Sequence, residues 1–71
     1  MVAACYEIVV RGRLGAALVR SLDDLDVRSS GPDATYMYGW FADQPALQEL
    51  LARLGDLGIE LTSLRRVREP D

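Results

Sequence analysis

Tyr36, Tyr38 and Trp40 stand at alternate positions, and each joins an aromatic ring to a hydroxyl or an indole N–H. Alternate residues of an extended chain share one face. The three therefore form a stripe suited to a half-wet surface, where ring and polar end meet different surroundings. Arg11-Gly12-Arg13 is a second candidate, leading into a predicted helix start where free amides and the helix dipole favour anions. Two arginines there could clamp a carboxylate or phosphate, although a solvated turn is the plainer reading. Asp23, Asp24 and Asp26 offer hard oxygen ligands, but their spacing is not that of a calcium loop. We expect a solvated turn there and no metal site. Cys5 is expected to be a strand residue, because no histidine exists to activate it as a nucleophile.

The absences narrow the chemistry further. The chain has no His, Lys or Asn, and all eight basic residues are Arg. Without His the commonest general base and nitrogen metal ligand are missing. Without Lys, Schiff-base chemistry and the lysine of a P-loop are excluded. No cofactor is expected. A net charge of −3 and a pI near 4.7 argue against electrostatic binding to nucleic acid or anionic membrane. No apolar run approaches the roughly 18 residues of a membrane span. The N-terminal residues lack the pattern of a signal peptide, so a cytoplasmic location is expected, and lone Cys5 fits a reducing compartment.

Seventy-one residues allow one domain and one small core. Strand 1 is predicted over Cys5–Arg11, with residues 1–4 frayed. Gly12 and Gly15 punctuate a turn, and Leu14, Leu18 and Leu22 place a short helix over 14–22. A weak strand over 25–30 ends in the turn cluster Ser29-Ser30-Gly31-Pro32-Asp33. Strand 3 covers 35–41 and is rich in aromatics. Asp43 is an N-cap, Pro45 fits the first turn, and Leu47, Leu50, Leu51, Leu54 and Leu57 stripe a second helix. Glu49 and Arg53 lie four apart on its polar side. Gly58 is the C-cap, residues 59–67 form strand 4, and 68–71 are a polar tail.

Two successive strand–helix–strand units predict a single α+β domain over 1–71, a ferredoxin-like βαββαβ sandwich. It would carry a four-stranded antiparallel sheet with two helices on one face, leaving the other face open. On strand 3, Met37 and Phe41 suit a dry core, and Gly39 would let a helix approach closely. Tyr36, Tyr38 and Trp40 then lie on the open face, bordered by Glu7, Val9 and Arg11. The reverse assignment, with the three aromatics as core, follows from overlaying them on Tyr6, Ile8 and Val10. An open aromatic patch this large needs a cover, and face-to-face homodimerisation through Tyr36, Tyr38, Trp40 and Val9 is the simplest.

Asp43-Gln44-Pro45-Ala46, the leucine-striped helix from Leu47 to Leu57 and Gly58-Ile59 resemble the ACT domain, a ferredoxin-like module that senses small molecules. The resemblance implies amino-acid binding near Asp43, Gln44 and Ala46, with Arg11 and Arg13 as further candidate ligand contacts. Ala46 stands where that family has glycine, and the motif falls in the second half of the chain rather than the first. The whole chain also looks like the small uncharacterised single-domain proteins of actinobacteria, and the missing Lys and Asn fit a GC-rich genome. The RNA-recognition motif shares the element order and stacks bases on sheet aromatics. Its basic-glycine-aromatic core sequence is absent here. The expected function is a small cytoplasmic oligomeric interaction module, with a homodimer or protein partner. An ACT-like sensor with a small-molecule ligand is the alternative. A third is a small cofactor-independent enzyme of the dimeric ferredoxin-like type, with Tyr6, Tyr38, Trp40 and Arg11 lining a cleft and Glu7 as base.

Overall fold

Four strands and two helices alternate in the order the sequence predicts. The computed structural model describes residues 3–22 and 25–68. β1 (Ala4–Arg11), α1 (Ala16–Ser21), β2 (Leu25–Ser30), β3 (Ala34–Phe41), α2 (Gln44–Asp56) and β4 (Leu61–Val67) follow one another along the chain. The strands form one sheet in the order β2-β3-β1-β4, with every neighbouring pair antiparallel. This is a ferredoxin-like βαββαβ domain, with β1 and β3 at the centre of the sheet.

The core lies between the sheet and α2. Ile8 and Val10 of β1 and Met37 and Phe41 of β3 meet Leu47, Leu50 and Leu54 of α2, and all seven are buried. Spacings of three and four put those leucines on one side of α2. Leu22, just after α1, completes the cluster, whereas no residue within α1 itself is buried. The first helix is shorter than the predicted 14–22 because Gly15 caps it without a side chain and its leucine stripe largely falls outside it. Leu14 and Leu25 pack against the core from the flanking segments.

Both ends of α2 are built from local chemistry. The Asp43 carboxylate accepts from the Ala46 N–H at 2.9 Å, and Pro45 occupies the first turn. At the other end Gly58 adopts φ +77°. Its N–H donates to the Gly55 carbonyl at 3.0 Å, and the Ile59 N–H donates to the Leu54 carbonyl at 2.9 Å. These bonds form a Schellman motif, whose left-handed residue is normally glycine. Ile59 is thereby turned back toward Leu54 and the core. Leu57, predicted as part of the apolar stripe, sits at this reversal and is half exposed.

Three further expectations need correction. Ala4, expected to fray, is buried in β1, and β4 begins at Leu61 rather than Ile59. Gly39 makes room for side chains and not for a helix. A Cβ at Gly39 would come within 2.6 Å of Leu25 Cδ2 and 3.2 Å of the Phe41 ring. Tyr6, in register with Gly39, packs edge-on against Phe41 with ring centroids 6.0 Å apart. Asp23 and Asp24, Met1 and Val2, and the tail residues Glu69, Pro70 and Asp71 lie outside the described residues.

Candidate functional site

The sheet face away from the helices carries Tyr36, Tyr38 and Trp40, and its register arranges them in three rows. In the first, Ser29, Tyr36, Val9 and Ser63 lie side by side. The second runs Asp26, Tyr38, Glu7 and Arg65 across all four strands. In the third, Trp40 lies beside Cys5 and Val67. Among the described residues β2 begins at Leu25, opposite Gly39, and none of them lies beside Trp40 on that side. Trp40 is 52% and Tyr36 42% exposed, while Met37, between them on the opposite face, is fully buried. The reverse assignment, with these aromatics as core, is therefore corrected: parity along β3 puts Met37 and Phe41 inside.

The middle row is a polar ladder. The Tyr38 hydroxyl donates to Glu7 Oε2 at 2.6 Å, and Arg65 Nε donates to Glu7 Oε1 at 2.7 Å. The Glu7 side chain is only 11% exposed, although no second layer covers this face. Its neighbours in the row supply the cover. Arg65 and then Tyr38 hold the Glu7 carboxyl below its usual range by hydrogen bonding, against a smaller opposing effect of burial. The same bond raises the Tyr38 hydroxyl, because a donor to a carboxylate is reluctant to ionise. At the β2 end the Arg28 guanidinium lies 5.2 Å from the Tyr38 ring centre and pairs with Asp26. Two carboxylates and two guanidiniums thus balance along one row.

This geometry bears on each candidate residue. Tyr36, Tyr38, Trp40 and Val9 share one face, with Val9 buried among its neighbours. Tyr6 does not join them, because its strand parity turns it toward the helices, so the four-residue enzyme cleft does not assemble. Glu7 has both oxygens engaged and a lowered pKa, which suits a fixed acceptor rather than a base poised near neutral pH. Arg11 is opposite Ala34, at the far end of the sheet from Asp43, Gln44 and Ala46, which follow Phe41. Eight strand residues, about 26 Å, separate the two groups. Arg11 instead pairs with Glu60 at 3.7 Å, and Arg13 is exposed on the loop before α1. Among the described residues no cluster of metal-ligating side chains forms.

Among the described residues two hollows flank Trp40, and sequence periodicity gave no sign of either. The larger, about 620 Å³, lies between the end of β3, the start of β2 and the side of α2. The smaller, about 320 Å³, lies between the start of β1 and the end of β4. The larger lies where β3 runs past the first described residue of β2, a matter of strand stagger.

A protein-family model, a domain of unknown function designated DUF8691, matches residues 5–65. The chain belongs to this family. The DUF8691 match runs from β1 into β4 and includes the whole polar ladder and all three exposed-face aromatics. No curated protein and no solved structure matches the chain. No helix among the described residues is long and apolar enough to cross a membrane.

Proposed function

We propose that the chain is a small interaction module that pairs with a second copy of itself through the open sheet face. The observation that carries this reading is the half-exposed Trp40 and Tyr36, on either side of Tyr38, on a face with no second layer. Four strands of six to eight residues make a face roughly 19 Å by 26 Å. With side-chain relief, that is on the scale of the ~800 Å² per partner of a stable interface.

The internal balance of the polar ladder favours a second copy as the occupant, because its two ion pairs leave no net charge along the row to repel an identical face. A two-fold axis along the strands lays β2 of one copy over β4 of the other, bringing Asp26 of each polar ladder toward Arg65 of its mate. The same operation sets each aromatic row against its counterpart, as an isologous interface requires. A 71-residue chain also gains from pairing the apolar burial that its single small core supplies sparingly.

Trp40 is the sole tryptophan, so its fluorescence reports on this face alone. At about 100 μM, well above a micromolar dissociation constant, Trp40 is expected to be shielded from acrylamide and to emit to the blue. Full quenching at that concentration, as for an open indole, refutes the reading.

A further inference from the structure

β4 forms one edge of the sheet, and among the described residues β1 alone pairs with it. From Ser63 to Val67 its register with β1 runs without a break, so its outer side presents a regular row of backbone donors and acceptors. The opposite edge is interrupted: β2 shifts register at Arg28, whose guanidinium is tied to Asp26. Leu61 and Leu64 lie opposite Val10 and Ile8, which turns them to the helix side of β4. They are incompletely covered there, with Leu61 40% exposed and Leu64 half-buried. Leu51 and Gly55, four apart on α2, occupy the flank turned away from the Ala46–Arg53 side that meets β2. A Cβ at Gly55 would meet nothing within 4 Å, so this flank leaves open space above the edge. An apolar shelf thus runs beside an unpaired strand.

The charge along this edge says what fits it. Residues 61–68 hold three arginines and no acidic residue, in a chain of net charge −3. Arg66 is exposed, and the Arg65 side chain stays 65% exposed while donating to Glu7. A second β4 laid alongside would gather three arginines from each copy on one seam, and like charges on facing strands repel. We propose that β4 instead takes an extended acidic segment of another protein as a fifth, antiparallel strand. Backbone bonds to Ser63–Val67 hold the segment. Its residue opposite Leu64 is apolar and covers the shelf, and those opposite Arg65 and Arg66 are acidic. The guanidiniums that turn away a second copy thereby select the partner. The inference does not rest on pairing through the open face, because the added strand lies at the side of the sheet.

The test is titration of the intact chain, labelled with nitrogen-15, with the blocked peptide Thr-Glu-Glu-Val-Thr-Val, following backbone amide shifts. The peptide is expected to saturate with a dissociation constant of about 1 mM or tighter, and the shifts should centre on Ser63–Val67. Replacing both Glu by Lys should weaken it at least about tenfold. N-methylation of one alternate set of peptide residues should abolish binding, because those N–H groups face β4, whereas methylation of the other set should leave it. Arg66→Glu alters an exposed position, so the fold should not change and the preference should pass to the Lys peptide. No saturable response, shifts centred away from β4, or equal binding of the Glu and Lys peptides overturns the proposal. So does an equal effect of the two methylation sets. Slow hydrogen exchange at the outward β4 amides that disappears on diluting the chain alone would make a second copy the occupant, and would overturn it as well.

Discussion

Met37 and Trp40 lie three residues apart on β3 and face opposite ways, so replacing each with alanine tests which side of the sheet is the core. Met37 is fully buried among Ile8, Phe41 and the α2 leucines, and Met37→Ala should cost about 2–5 kcal/mol through lost burial and a cavity. Total stability at this length is about 4–10 kcal/mol, so that loss is a large share of the whole. Trp40 is 52% exposed and buries at most about 100 Å² of the roughly 200 Å² a tryptophan can hide. At ~25 cal/mol/Å² its removal costs no more than about 2.5 kcal/mol, with no closed cavity left behind. Urea unfolding at about 1 μM and about 100 μM separates the effects, because pairing raises the midpoint with concentration. The parent and Met37→Ala should both show that rise, and Trp40→Ala should lose it. If Trp40→Ala costs as much as Met37→Ala in the dilute sample, the indole is a core group and the face assignment fails.

Other expectations follow from the polar ladder and the caps. Because the folded Glu7 carboxyl lies below its ordinary value of 4.5, its contribution is fully present above that value. That contribution is lost as pH falls through the lowered folded value; Glu7→Gln should flatten this acid limb, as measured by urea midpoints from pH 7 down to about 2. The raised Tyr38 hydroxyl acts in the opposite sense, stabilising below its ordinary value of 10.0 and ceasing to do so as pH climbs through the folded value. Tyr38→Phe should remove that alkaline limb. At the ends of α2, Asp43→Ala should cost about 1 kcal/mol by freeing the Ala46 N–H. Gly58→Ala should cost about 1–2 kcal/mol because φ +77° is strained for any residue with a Cβ. Thermal melts of the single variants check both.

The elements of this fold were legible because their signals are local. Asp43 and Pro45 announce the start of α2, Gly58 its end, and leucine spacing its buried side. The alternation along β3 was legible too, and chemistry chose its face: Tyr and Trp carry polar ends that Met37 and Phe41 lack. What could not be read depends on how strands are staggered. The Glu7–Tyr38–Arg65 ladder joins residues 31 and 58 positions apart, and only the register of β1 with β3 and β4 brings them together. The larger hollow beside Trp40 lies where β3 extends past the described part of β2, which no periodicity encodes. Leu57 misled because its spacing is right for the stripe while the Schellman turn removes it from the helix.

The most direct test of pairing through the open face is solution molar mass by light scattering, run on the parent and Trp40→Asp across the same dilution series. The parent should show twice the 7.9 kDa chain mass at high concentration. The variant, which places a charge in the aromatic row without touching the core, should stay folded and remain at 7.9 kDa throughout. A parent that is monomeric at every concentration, or a variant that pairs as well as the parent, would contradict pairing through this face.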